Sequence, residues 1–422
     1  MVTHNFLVLN VVLPAIKPCK YGVVVLYIIV YPYRMMIHRH ISNELIQLLK
    51  EYPVVTVLGP RQAGKTTLVK TILTDHAYSN LEIPDIREWA ELDPRAYLRQ
   101  FTGPVIIDEI QRVPKLLSYI QGLVDEDRTP GRFVLTGSHQ LRLRETITQS
   151  LAGRTAILTL LPLSILELMD AGITFPGFED YVFHGFLPAV YDRKMRPRTA
   201  YANYYQTYVE RDLRQIIQLK DATSFEKMMK LMAGRTGQLI DYSSLAGDVG
   251  VDAKTIKHWL SILEASYILF KIPPYFENFG KRVIKAPKYY FTDTGMLAYL
   301  LGIRNPAEII RDPLVGRVFE NLVALECLKA FTHAGEAGEL YFYRDSNGNE
   351  VDMLIPSGRE LTAIEIKSAG TFSADQLKGL RRIKQVATNI RRSFLIYNGE
   401  SRQLSDGIDI RNFRDTGRVV RQ

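Results

Sequence analysis

Apolar positions fall into two rhythms along this chain. Short uncharged runs at Val54–Leu58, Val105–Ile107 and Phe133–Leu135 each end in polar or glycine-rich sequence. The first then gives way to apolar residues at helical spacing: Leu68, Val69, Ile72 and Leu73. Such runs predict strands buried on both faces, and their alternation with helices predicts a parallel sheet. From Tyr201 to Leu231 the spacing is helical, with few glycines or prolines. Ile256, Leu260 and Leu263 predict a helix over Ala253–Glu264. A shorter helix precedes it, capped by Ser243 or Ser244 and ending at Val249, with Gly250 in the turn. Val315, Val318, Phe319, Leu322 and Val323 predict another helix. Tyr341–Tyr343, Val351–Ile355 and Thr362–Lys367 then predict three strands.

The first 34 residues do not fit either rhythm. Tyr21 to Tyr33 is an uncharged apolar run of 13 residues, bounded by Lys20 and Arg34. A membrane span needs roughly 20 residues. Organised amphipathic sequence begins near Met35 or Met36, so residues 1–34 are expected to be an upstream extension, outside the working protein and without a stable membrane partner. The 422 residues suffice for two or three domains, and 46% hydrophobic with 23% charged residues is a globular composition. Net charge is +8, from 53 basic and 45 acidic residues, a mild bias compatible with nucleic acid. Cys19 and Cys327 provide neither a disulfide framework nor metal-site spacing, which points to a reducing cytoplasm.

Candidate chemistry begins after the first strand. Gly59, Pro60, Arg61, Gln62, Ala63, Gly64, Lys65 and Thr66, followed by Thr67, match G-x-x-x-x-G-K-[ST] between a strand and a helix. The glycines permit the loop's backbone angles, and the loop N–H groups converge on phosphate oxygens. Lys65 is expected on the β- and γ-phosphates of ATP, and the Thr66 hydroxyl on Mg²⁺. Asp108 ends the second apolar run and is placed to hold the same Mg²⁺. Glu109 beside it is placed to polarise an attacking water. Ser138, or failing it Thr136, sits beyond the third run, where ligands of open α/β sheets bind. Arg154 is a candidate for stabilising transition-state charge, in cis or from a neighbouring subunit of a homo-oligomer; Arg211 and Arg214 are its rivals.

The series VLGPRQAGKTTL, NLEIPDIREWAELDP, VIIDEIQRVPKLL, RFVLTGSHQ, SLAGR, LPLSILEL and YVERDLRQI resembles a prokaryotic family that pairs an AAA-type ATPase domain with a C-terminal domain of unknown function. The likeness runs from about Met36 onward. It implies an α/β, AAA-like P-loop domain with a parallel sheet, over about 35–200.

Between 201 and 290 the helix pair, followed by β-type sequence, has the order of a helix-turn-helix with a wing. Lys254, Lys257 and His258 are expected on the exposed face of the second helix, where they would meet DNA phosphates. Lys281, Arg282, Lys285 and Lys288 follow among aromatic residues. In 291–422, Glu365 and Lys367 share a strand face, because side chains alternate with period two. A hairpin loop of two or four residues after Pro356 puts Asp352 opposite 363 or 365, on that face, with Val351, Ile364 and Ile366 on the other. Glu320 lies at the edge of the preceding helix, and Gln376 is a further candidate. The set Glu320, Asp352, Glu365 and Lys367 resembles the restriction-endonuclease-type pattern. That likeness implies an α/β nuclease-like fold and a second Mg²⁺ or Mn²⁺. The expectation is an ATPase that couples hydrolysis to a winged-helix and nuclease-like half acting on DNA. The alternative is a nucleotide-dependent switch whose nuclease-like half recognises DNA or protein without cutting.

Overall fold

Val54–Leu58 (β1) is buried along its whole length, as a charge-free run should be. It lies between Phe133–Gly137 (β4) and Thr155–Thr159 (β5), parallel to both. With Ala77–Asn80 (β2) and Val105–Asp108 (β3) the order is β2-β3-β4-β1-β5, all parallel. β4 therefore separates the strand that feeds the glycine loop from the strand that ends in Asp108. The computed structural model describes residues 36–138, 147, 150–213, 222–275, 286–345, 348–404 and 406–421, with backbone alone for 210–213. Residues 1–35, Arg214, Lys281, Arg282 and Lys285, and the side chain of Arg211, lie outside that description. No helix among the described residues is long and apolar enough to cross a membrane.

After β5 the chain leaves the sheet. Ser164 and Glu167 form a reciprocal capping box on the helix Ile165–Asp170. From Leu163 onward most of the buried apolar residues join the middle and C-terminal segments in one core that extends to Val419.

The middle segment has the two expected helices, Tyr242–Val249 and Ala253–Ala265. The cap of the first is Asp241, which accepts from Ser243 N (2.8 Å) and Ser244 N (3.0 Å); neither serine caps it. Asp252 caps the second through Thr255 N (2.8 Å). Gly250 takes φ 93° in the turn, where a Cβ would be strained. Leu269–Ile272 (β6) and Lys288–Phe291 (β7) follow as an antiparallel pair.

Tyr341–Arg344 (β8), Glu350–Ser357 (β9), Glu360–Lys367 (β10), Ile390–Tyr397 (β11), Arg402–Gln403 (β12) and Asp409–Asn412 (β13) form a mixed sheet, ordered β12-β13-β11-β10-β9-β8. The helix Val315–Thr332 packs on one face and Lys378–Val386 on the other. The β9–β10 pairs run from Ser357↔Glu360 to Met353↔Ile364. Continued by one step, this register sets Asp352 opposite Glu365. One expectation fails here. Val351 packs with Leu354, Leu361 and Ala363, whereas Met353, Ile355, Ile364 and Ile366 belong to the core on the opposite face. The cause is a bulge: Tyr341 pairs with Leu354 but Tyr343 with Val351, so β9 holds one extra residue. Val351 is thereby turned onto the face that carries Glu365.

Two oppositely charged groups are buried on the long helix. Lys329 Nζ donates to Glu326 Oε1 (2.9 Å) and to the carbonyl of Leu163 (2.6 Å). Glu326 Oε2 accepts from Ile165 N (2.9 Å). Removing one partner of such a pair leaves an uncompensated buried charge. Lys329→Ala is therefore expected to lower stability by about 3–5 kcal/mol. A urea-unfolding midpoint equal to that of the parent chain would refute this.

Candidate functional site

The glycine loop takes its shape from one close approach. Gly59 has φ 153°, and a Cβ there would collide with the carbonyl of Leu160. Gln62 and Gly64 also have positive φ, so the loop turns back before the helix Lys65–Ile72 begins. Arg39, absent from the expected set, braces the loop from behind: its Nη1 donates to the carbonyl of Ala63 (2.7 Å) and its Nη2 to that of Leu161 (2.6 Å). Arg61 pairs with Glu82 (3.7 Å) and lies over the Tyr208 ring (5.8 Å). Pro60 completes the first turn, and Thr67 is exposed on the helix. The Lys65 ammonium folds back onto the carbonyls of Gly59 (2.9 Å) and Pro60 (2.8 Å). Burial pushes its pKa down to about 8, against the opposing charges of Glu109 and Asp108.

The carboxylates lie at the same end of the sheet. Asp108 Oδ2 accepts from Thr66 Oγ1 (2.9 Å) and Tyr78 OH (2.7 Å), and its Oδ1 from the Thr136 hydroxyl. Thr66 and Asp108 thus offer adjacent hard oxygen ligands, a donor set that suits Mg²⁺. Glu109 adopts the left-handed conformation (φ 59°, ψ 45°), which costs a non-glycine residue about 1–2 kcal/mol. Its Oε2 accepts from Ser138 Oγ (3.2 Å) and from Gln111 Nε2. Ser138 therefore stands beside Glu109, while Thr136 orients Asp108. Tyr78, Gln111 and Arg39 were not anticipated; the Gln two positions past Glu109 was the visible sign for one of them.

Arg154 is elsewhere. It precedes β5, and Val54 N donates to its carbonyl (3.3 Å), so it sits at the far end of β1 from the loop, about 15 Å away at strand rise. Its guanidinium grips Asp125 through two bonds (2.6 and 3.0 Å). This corrects the expectation that Arg154 acts in cis.

The C-terminal set does come together, with added members. Glu320 Oε1 accepts from Lys288 Nζ (3.0 Å) and Tyr290 OH (2.6 Å). Lys288 also meets Glu350 Oε1 (2.6 Å). Lys288 is only 3% exposed, so it is a buried counter-ion and not a DNA contact. Lys367 Nζ lies 2.6 Å from Glu365 Oε1 and 3.5 Å from Asp352 Oδ2, and Ile366 N donates to Asp352 Oδ2 (2.8 Å). Burial, then the charge of Asp352, pushes the Glu365 carboxyl up to about 8. Burial opposes the charge on Lys367, but Asp352 and then Glu365 hold its ammonium well above the usual lysine range. Lys367 stands beside Asp352 and Glu365 as expected, whereas the ammonium of Lys288 lies against Glu320 and Glu350. Among the described residues no group of three or more His, Cys, Asp or Glu is arranged to hold a metal. Gln376 is outside this cluster: it closes a capping box with Ser373. Lys254, Lys257 and His258 are exposed, with Lys257 over the Tyr242 ring (5.1 Å).

The state of Lys65 has a measurable consequence. Phosphates favour its ammonium, which the free protein loses above about pH 8. ATP affinity is therefore expected to fall as pH rises through about 8, with proton uptake on binding above it. Calorimetric titrations in two buffers of different ionisation enthalpy check this. An affinity that stays level from about pH 7 to 9.5 would refute it.

Comparison with known proteins places these sites in a family. Residues 51–169 match the AAA domain, 176–307 a domain of unknown function (DUF8612), and 315–413 another (DUF4143). An uncharacterized protein of Haemophilus influenzae is 22% identical, over 79% of this chain and 86% of its own. Among solved structures, the Walker-type ATPase PABY2304 of Pyrococcus abyssi aligns with 64% of this chain and 98% of its own, at 15% identity and TM-score 0.43. The uncharacterized proteins Rv2008c of Mycobacterium tuberculosis and Mb2031c of Mycobacterium bovis are each 31% identical, over 88% of this chain and 82% of theirs. The chain belongs to the family of these mycobacterial proteins, and its residues 51–169 form an AAA domain.

Proposed function

We propose that this protein binds ATP with Mg²⁺ and hydrolyses it. The observation that carries this is the grouping of Lys65, Thr66, Asp108, Glu109 and Ser138 at the C-terminal ends of β1, β3 and β4. The loop N–H groups and Lys65 hold the phosphates; Thr66 and Asp108 hold the ion, which supplies charge neutralisation on the β- and γ-phosphates. Glu109 accepts a proton from water, and Ser138 fixes the orientation of that carboxylate. Glu109→Gln keeps the shape and loses the base. Turnover is expected to fall by about 10²-fold or more while ATP affinity changes by no more than about threefold. Turnover that survives the substitution would eliminate Glu109 as the base.

We further propose that the C-terminal half acts on DNA by recognition. The helix pair, its left-handed Gly250 turn and the β6–β7 pair support a winged-helix reading, with Lys254, Lys257 and His258 on the open face. The added Lys288, paired with both Glu320 and Glu350, favours recognition over cleavage. A labelled duplex is expected to bind several-fold more weakly when Lys254 and Lys257 are both alanine, and to remain intact with Mg²⁺ or Mn²⁺. Equal binding removes the DNA role from this face. Cleavage that is lost in Asp352→Ala would reverse the assignment of the C-terminal site.

A further inference from the structure

We infer that Gln111 is a second acceptor for the water that attacks ATP, acting beside Glu109. The inference rests on the ATPase reading above. Glu109 ends β3 in a left-handed turn, and Ile110–Arg112 follow as one 3₁₀ turn, which returns the Gln111 side chain to the Glu109 carboxylate. Gln111 Nε2 donates to Glu109 Oε2 and to Ser138 Oγ (3.2 Å). A carboxylate accepts only, so the amide nitrogen must face it, and this settles which end of the amide carries the oxygen. That oxygen, Gln111 Oε1, is buried and has no hydrogen-bond partner among the described residues.

A buried acceptor without a donor is costly, by about 1–3 kcal/mol, and calls for a partner that arrives with the ligand. The γ-phosphate has only acceptor oxygens when fully ionised and cannot supply the donor. A water can. Both bonds to Glu109 fall on Oε2, and Oε1 accepts none among the described residues. One water that donates to Glu109 Oε1 and to Gln111 Oε1 has its lone pair fixed by two acceptors. In the step itself the water oxygen bonds to the γ-phosphorus. The bond from phosphorus to the bridging oxygen breaks, and its electron pair leaves with ADP. Glu109 takes one proton; the second stays on the oxygen, held by Gln111, as the new phosphate forms. Ser138 completes the set by tying the Gln111 amide to the Glu109 carboxylate.

Gln111→Leu has nearly the same volume and removes the acceptor. Its kcat is expected to fall about 10- to 100-fold, with KM for ATP and the affinity for a fluorescent ATP analogue within about threefold of the parent chain. Gln111→Glu keeps an acceptor but sets a second negative charge beside Glu109. It should retain more turnover than Gln111→Leu and shift the acid limb of the kcat–pH profile upward. If Gln111→Leu turns over within twofold of the parent, Gln111 is not an acceptor for the water, and the ATPase reading stands. If Gln111→Leu loses nucleotide binding in parallel with turnover, its role is support of the loop and the inference fails. A parent chain that binds ATP with Mg²⁺ and never turns it over removes both readings.

Discussion

A single buried guanidinium ties the phosphate loop to the remainder of the molecule. Arg39 is 7% exposed, and three of its nitrogens are spent on the carbonyls of Ala63 and Leu161 and on Glu167 Oε1 (3.1 Å). Glu167 in turn accepts from His40 N (2.8 Å) and Ser164 N (2.9 Å), and His333 Nδ1 stands 3.5 Å away. Burial alone would raise the Glu167 carboxyl; Arg39, and then His333, bring it down to about 2. A buried ion pair of this kind is expensive to break from one side, because the charge left behind has no water to turn to. The loop, the end of β5 and the capping box at Ser164 therefore move as one body or not at all.

That body continues into the C-terminal half. The helix Val315–Thr332 carries Glu326 and Lys329 against Ile165 and Leu163, and His333 just past its end against Glu167. Toward its other end Asn321 bonds both backbone groups of Phe291 (2.8 and 2.9 Å), and Glu320 reaches Lys288 and Tyr290. Glu320 and His333 are 13 residues apart, about 20 Å along a helix. One stiff rod thus has one end in the charged network behind the phosphate loop and the other in the carboxylate–lysine cluster of the second sheet.

What the sequence revealed, and what it hid, follows from how local each signal was. The strand–loop–helix at Val54–Ile72 and the Asp108–Glu109 pair were legible because their chemistry requires neighbours in sequence. The C-terminal carboxylates were legible by strand parity, although the bulge in β9 turned Val351 to the face that parity denied it. The place of Lys288 was not legible, because a lysine among aromatics looks alike on a groove wall and inside a cluster; only the fold brings Glu320 and Glu350 to it. The distance of Arg154 from the phosphate loop was hidden because proximity to a strand does not say which end of the sheet that strand begins at. Arg39 and Glu167 are 128 positions apart, and no local pattern joins them. Their nearest warning was in the sequence all the same. Glu326 and Lys329 stand three residues apart in the apolar stretch from Leu322 to Phe331, and opposite charges at that spacing in buried sequence mark a pair with a task inside the core.

The same network has a consequence in time. Ile165 and Glu326 are 161 positions apart, Leu163 and Lys329 166, and Arg414 reaches back 239 positions to the carbonyl of Phe175. On a ribosome adding roughly 5–20 residues per second, about ten to thirty seconds separate the synthesis of Glu167 from that of His333. Throughout that interval Glu167 lacks His333, and Leu163 and Ile165 lack the buried Lys329 and Glu326 that bond them. The nucleotide loop, its carboxylates and Glu167 are thus all made well before the helix that backs them, and the support they share with the C-terminal half arrives only when that helix has been added.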